Sequence, residues 1–75
     1  MQTELTTKEG GLSAAGFMFW AERAREYDDT QLSGAYLDAC DAAKIFKGRP
    51  EEGKYLDQCS VFRGEINARE QEATQ

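Results

Sequence analysis

The sequence contains no histidine and only two cysteines among its 75 residues, and these scarcities argue against several kinds of chemistry. Without histidine, a serine or cysteine nucleophile lacks its usual general base. The cysteines do not form a Cys-x-x-Cys pair, and a metal ion would find no third or fourth soft ligand. We therefore expect a protein that is not an enzyme and that carries no cofactor or metal.

Basic charge and long apolar runs are also scarce. Nine lysines and arginines stand against 14 acidic residues, which gives a net charge of -5. Direct binding of nucleic acid needs clustered basic side chains, so we do not expect it. No run of about 18 apolar residues is present to cross a membrane. Because no signal peptide is visible, we expect a cytoplasmic protein, or a periplasmic one if a signal was removed.

Runs of alternating β-branched residues are missing as well, and apolar residues recur instead at three- and four-residue spacings. This periodicity predicts an all-α fold, a compact three-helix domain built on an antiparallel helical hairpin. The helices are expected near residues 14–27, 29–47 and 50–68. The expected divisions are a polar flexible arm at 1–11, the three-helix domain at 12–69 and a frayed tail at 70–75.

Capping residues mark the expected helix ends. Ser13 can cap the first helix, and Asp28 with Gln31 fits a capping box at the start of the second. Gly48 suits the left-handed turn after the second helix, and Pro50 fits the first position of the third. The sequence therefore predicts a tight turn between helices 2 and 3.

One face of the first helix is apolar and is expected to lie in the core. Its members are Phe17, Trp20, Ala21, Ala24 and Tyr27. Phe19 points away from this face, and Met18 lies on its edge. Two interpretations of Phe19 stay open: it contacts a partner protein together with Met18, or it is covered by the N-terminal arm, with Leu5 as its neighbour.

Acidic residues cluster where the first helix gives way to the second. They are Glu22, Glu26, Asp28 and Asp29. Such a cluster can occupy a basic groove that normally holds nucleic acid, or it can be a solvated surface that keeps the protein soluble. We predict that these four carboxylates, with Met18 and Phe19, form a surface that binds a protein with a basic face.

A short pattern, Gly-x-Tyr-Leu-Asp-x-Cys, occurs at Gly34 to Cys40 and again at Gly53 to Cys59. In a hairpin that turns near Pro50, the two cysteines lie at the same height. They are candidates for a disulfide, which would close a loop of about 20 residues and contribute roughly 3 kcal/mol. They are equally well explained as small buried apolar side chains, and both interpretations stay open.

The segments Gly34-x-x-Leu37-x-x-Cys40 and Cys59-x-x-Phe62-x-Gly64-x-Ile66 resemble a known family. They are similar to the Tai-type immunity proteins, small helical proteins that neutralise amidase toxins delivered by type VI secretion. The resemblance covers residues 34–66 and departs from the family pattern, which has glycine at position 61, isoleucine at position 63 and its second glycine one place later. It implies a periplasmic immunity protein in which Cys40 is joined to Cys59.

These observations lead to a functional prediction, a small acidic, non-catalytic inhibitor that acts by stoichiometric binding to a protein. By its size and charge, the first hypothesis is a phage-encoded, anti-CRISPR-like inhibitor of a host defence nuclease complex, which occupies a surface that binds nucleic acid. One alternative is an immunity protein against a secreted amidase toxin. Another is a structural or assembly adaptor that self-associates through the first helix, for example as a homodimer.

Overall fold

The computed structural model describes residues 4–73, which include three helices. Helix α1 spans Ala14–Glu26, α2 spans Asp29–Ile45 and α3 spans Glu51–Ala73. Both α1 and α2 pack on α3 and hardly touch each other. The predicted all-α, three-helix domain is confirmed.

Helices α2 and α3 form the antiparallel hairpin. Phe46, just after α2, stacks on Tyr55 with ring centroids 5.4 Å apart, whereas Asp29, at the start of α2, contacts Arg69. The end of α2 thus lies beside the start of α3, and the start of α2 lies beside the end of α3, so the two helices are antiparallel. Gly48, with φ +83°, supplies the left-handed backbone in the turn between them.

The predicted caps are present at the helix starts. The Ser13 hydroxyl accepts a hydrogen bond of 3.1 Å from the Gly16 N–H at the start of α1. At the start of α2, the Asp28 carboxylate accepts from the Gln31 N–H at 2.7 Å, and the Gln31 side chain accepts from the Asp28 N–H at 3.0 Å. These bonds satisfy amide groups that a helix leaves unpaired at its first turn.

The core is centred on Phe62 of α3. It contacts the buried residues Ala24, Leu32 and Ala39, which come from the other two helices. The indole of Trp20 meets the Phe62 ring edge-on, with centroids 5.9 Å apart. Small side chains thus let α1 and α2 approach one aromatic ring, which suits a chain that has few residues with which to build a core.

The expectation that Phe17 lies in the core is wrong, since Phe17 is 40% exposed. The centre of the packed face is Trp20 and Ala24, and Phe17 lies about 60° round the helix from Trp20. It borders an open groove beside Val61 and Gly64 of α3. The buried face of α1 is therefore narrower than the sequence predicted.

The segment before α1 differs from the flexible arm expected for residues 1–11, of which residues 1–3 lie outside the described residues. The Thr7 N–H donates to the Gly11 carbonyl at 2.7 Å, and the Ser13 N–H donates to the Leu5 carbonyl at 2.9 Å. A short N-terminal hairpin results, with a bridge between Thr6 and Leu12.

This N-terminal hairpin is held by one close contact with α3 and one with Pro50, the residue before it. The Leu12 N–H donates to the Asp57 carboxylate at 2.9 Å, and the Leu12 side chain is buried. Gly10, with φ +100°, lies so close to Pro50 that any side chain at this position would collide with the Pro50 carbonyl. Composition did not indicate this packing, because the contacts that hold the segment come from residues far along the chain.

The far end of α3 also differs from expectation. The helix continues to Ala73, although a frayed tail was expected from residue 70, and residues 74–75 lie outside the described part of the chain. Arg69 explains why the helix persists beyond its apolar face. Its guanidinium donates to the Glu65 carboxylate at 3.0 Å and to the Asp29 carboxylate at 2.8 Å.

The same guanidinium also caps the end of α1. It donates to the Tyr27 carbonyl at 2.7 Å and to the Ala24 carbonyl at 3.1 Å. These carbonyls belong to the last turn of a helix and the residue after it, where backbone acceptors otherwise lack partners. One side chain of α3 therefore joins the end of α1 to the start of α2.

We predict that Arg69→Met lowers the thermal midpoint of unfolding by roughly 5 °C or more, because charge-assisted bonds are lost and the α1 carbonyls lose their donor. Arg63→Met is the matched control, since Arg63 is an exposed arginine of the same helix with no salt bridge or hydrogen bond to residues 4–73. Thermal unfolding followed by circular dichroism measures both variants. Equal midpoints for the two would show that Arg69 is dispensable.

Candidate functional site

The outer face of α1 carries two exposed apolar side chains, Met18 and Phe19, which we call the apolar patch. Phe17 is exposed on a different side of the helix, which borders α3. Met18 is 66% exposed and Phe19 is 37% exposed. The Phe19 ring meets Trp20 edge-on, with centroids 5.1 Å apart, and the Arg23 guanidinium lies 5.1 Å from its centroid. Contacts within α1 therefore hold the ring on the surface, and the N-terminal hairpin leaves it partly exposed.

The four acidic residues at the α1–α2 corner are all exposed, but they do not serve the same purpose. Asp28 caps α2, and Asp29 pairs with Arg69. Glu22 and Glu26 make no hydrogen bond or salt bridge with residues 4–73. Asp28 and Asp29 thus stabilise the fold, and Glu22 and Glu26 are the carboxylates of this cluster that are available to a partner.

The two cysteines lie side by side across the α2–α3 hairpin. The Cys59 thiol donates to the Cys40 sulfur, with the two Sγ atoms 3.0 Å apart, and both residues are half-buried. They lie opposite each other as the hairpin argument expected. The structure holds them as free thiols, and their joining into a disulfide stays a prediction.

Burial raises the pKa of the Cys59 thiol to about 12, helped by the hydrogen bond to Cys40. The pKa of Tyr36 is raised too, first by a hydrogen bond with Cys40. A thiol with so high a pKa stays protonated at neutral pH, and the protonated form is a poor nucleophile and metal ligand. The arrangement therefore favours a structural role for Cys59 over a catalytic one.

Among residues 4–73, no three or more His, Cys, Asp or Glu side chains are grouped so that they could hold a metal ion. In the same part of the chain, no helix has the length and apolar character to cross a membrane. Comparison with protein-family models, with curated proteins and with solved structures found no match.

Sequence reasoning missed Gln58, which is only 8% exposed. A signal was present, because Gln58 follows Tyr55 by three residues and precedes Phe62 by four, the spacing of one helix face. From the sequence, its neighbour Cys59 was considered as a small buried side chain instead. In the structure Gln58 is the more buried of the two.

We predict that oxidised glutathione converts the two thiols into an intramolecular disulfide. The cysteines would lose two protons and two electrons, and the glutathione disulfide would be reduced to two thiols. The sulfur atoms are 3.0 Å apart, against about 2.0 Å for a bond, so little movement is needed. The free energy of unfolding should rise by roughly 3 kcal/mol in urea denaturation.

The control for this oxidation is Cys40→Ala, which leaves one thiol and should gain no stability from the same treatment. Mass spectrometry distinguishes the expected loss of two hydrogens from addition of glutathione. Mixed disulfides or covalent dimers in place of the internal bond would contradict the prediction.

We also predict that the reduced protein loses stability in alkaline solution. The folded pKa of Cys59 is about 12 against an ordinary value of 9.0, so folding favours the protonated thiol. This contribution is complete below about pH 9 and disappears as the pH rises towards 12. Urea denaturation at pH 8 and pH 10.5 measures it, and the decline should be shallower in Cys59→Ala. Equal declines in both proteins would exclude Cys59 as the cause.

Proposed function

We propose that this protein is a non-catalytic inhibitor that binds one protein partner in a stoichiometric complex. The observation that carries the proposal is the apolar patch of Met18 and Phe19 on α1. Large apolar side chains that stay exposed on so small a domain are typical of protein-binding surfaces, where aromatic residues and methionine are enriched.

The charges beside the patch favour a basic partner. Glu22 and Glu26 lie on the same helix as Met18 and Phe19, and neither is neutralised by a residue in the described part of the chain. Carboxylates around an apolar contact speed association with a positively charged surface and discriminate against acidic competitors. The net charge of -5 adds to this effect at longer range.

The target class that we propose first is a host defence nuclease complex, bound through a basic surface that normally holds nucleic acid. A phage-encoded, anti-CRISPR-like inhibitor of this kind works in the cytoplasm by occupying that surface. The support is the combination of small size, acidic charge and the two unpaired carboxylates Glu22 and Glu26.

A second candidate is an immunity protein that neutralises an amidase toxin in the periplasm. The observation that favours it is the contact between Cys40 and Cys59, with sulfur atoms 3.0 Å apart. The resemblance to Tai-type immunity proteins implies a bond between these same two residues. Inhibition of a peptidoglycan amidase, rather than of a nuclease, would distinguish this candidate from the first.

The experiment begins with capture of partners from the source cell and their identification by mass spectrometry, followed by binding measurements with purified partner. Light scattering of the protein alone tests the remaining alternative, self-association through α1. A homodimer that separates only on unfolding would favour an assembly protein. A monomer that binds a basic protein tightly would favour an inhibitor.

We predict that Phe19→Ala weakens binding to this partner by at least about tenfold while the thermal midpoint hardly changes, because Phe19 is exposed and meets the partner directly. The control is Leu37→Ala, which removes a side chain that is 60% exposed on α2, away from the patch. A large fall in stability would place Phe19 in the core. An equal loss of binding with Leu37→Ala would move the interface elsewhere.

A further inference from the structure

The thiols of Cys40 and Cys59 form a fixed pair that the apolar patch on α1 does not use. Their Sγ atoms lie 3.0 Å apart, one on α2 and the other on α3. Both residues are half-buried, and the two thiols are free. The core residues Ala39, next to Cys40, and Phe62, one turn after Cys59, belong to the same buried cluster. The packing of α2 on α3 therefore holds the two sulfur atoms together.

The separation of the sulfur atoms limits the kind of atom that can bridge them. A linear two-coordinate ion with metal–sulfur bonds of about 2.3 Å would hold the sulfurs about 4.6 Å apart. A pyramidal atom has bonds that meet near a right angle, so bonds of the same length hold the sulfurs about 3.3 Å apart. The observed 3.0 Å is close to the second value. The pair thus fits a three-coordinate, pyramidal atom that bonds readily to sulfur.

Trivalent arsenic has this geometry and this preference for soft sulfur ligands. A monosubstituted arsenical in water carries one organic group and two hydroxyl groups on arsenic. Each thiol replaces one hydroxyl: an As–O bond breaks, an As–S bond forms, and the thiol proton leaves with the hydroxyl as water. Two thiols replace both hydroxyls and release two water molecules. No electrons are transferred, so the reaction needs neither an oxidant nor a reductant.

This reaction does not require a thiolate at Cys59. Burial raises the pKa of Cys59 to about 12, so its thiol is protonated at neutral pH. A metal ion would have to displace that proton into solution in order to bind the sulfur. The arsenic-bound hydroxyl instead takes up the proton as it leaves. Once one thiol has reacted, the other lies beside the arsenic, and the second bond forms within the molecule.

The organic group of the arsenical has an apolar surface to lie on. The two thiols border an open hollow of about 380 Å³ between α2 and α3, whose other lining residues are Ala43, Lys44, Lys47, Glu52 and Leu56. Leu56 is 49% exposed, so its side chain is accessible to a ligand. An aromatic substituent covers this apolar surface, whereas the third hydroxyl of inorganic arsenite does not. The hollow therefore favours the organic form.

We propose that Cys40 and Cys59 form a binding site for monosubstituted trivalent arsenicals, which bridge the two sulfur atoms and place their organic group against Ala43 and Leu56. The bridge joins α2 to α3 while both cysteines stay reduced. It therefore forms under reducing conditions in which a disulfide does not persist. The site lies on the α2–α3 hairpin, so the inference goes beyond the proposed inhibitor function and does not depend on the partner.

The probe is phenylarsine oxide, added to the protein after reduction with a phosphine. Mass spectrometry should show one phenylarsenic group per chain, with loss of the two thiol hydrogens. Binding should be about a hundredfold tighter than in Cys40→Ala or Cys59→Ala, because the second bond is intramolecular. The complex should survive an excess of glutathione, a monothiol, and should be reversed by 2,3-dimercaptopropanol, a dithiol. This reversal is measured on the wild-type protein and does not depend on how the variants fold.

A second comparison tests the position of the organic group. Leu56→Asp should weaken the binding of phenylarsine oxide about fivefold and leave the binding of inorganic arsenite unchanged, because only the phenyl group loses its apolar contact. The matched control is Ile45→Asp, since Ile45 is 75% exposed and does not line the hollow. This control should bind both compounds as the wild type does.

Several results would overturn the inference. Two phenylarsenic groups per chain, or complete release by glutathione, would show that the thiols react separately. Binding to Cys40→Ala as tight as to the wild type would show that no bridge forms. Unchanged binding of phenylarsine oxide by Leu56→Asp, or an equal loss with Ile45→Asp, would show that the hollow does not hold the organic group.

Discussion

One guanidinium group, that of Arg69, links all three helices. Arg69 donates to three backbone carbonyls at the end of α1, to the Asp29 carboxylate at the start of α2 and to the Glu65 carboxylate on its own helix. Because α1 and α2 hardly touch, the angle between them is fixed through α3, by these contacts of Arg69 together with the packing of Ala24 and Leu32 in the Phe62 core. Arg69 thereby holds together the corner at which the acidic residues lie.

The parts of the fold that sequence could predict are those determined by neighbours along the chain. The Ser13 cap, the box of Asp28 and Gln31, and the turn at Gly48 all depend on residues within about four positions of each other, so their signals are local. The N-terminal hairpin depends on Asp57, and the persistence of α3 depends on Asp29. Such long-range polar contacts have no periodicity that a single sequence displays.

The candidate site shows the same division. Periodicity was enough to show that Phe19 lies off the packed face of α1, because this follows from the helix repeat alone. It was not enough for Phe17 or Gln58, whose exposure depends on which neighbours α1 and α3 have. A helix that packs on one partner buries a narrow stripe, and α3, which packs on two, buries a polar residue. Met18 and Phe19 stay exposed because α1 packs on α3 and hardly touches α2.

The hydrogen bond between Leu12 and Asp57 has a consequence for the order of folding. It spans 45 positions, whereas the contact between Cys40 and Cys59 spans 19. Closing the longer loop costs more chain entropy, so the α2–α3 hairpin is expected to assemble first and the N-terminal hairpin to dock last. Leu5 and Thr6 of that hairpin line a hollow that also includes Trp20 and Gln58. Undocking of the segment would therefore expose Leu12 and one side of Trp20 to solvent.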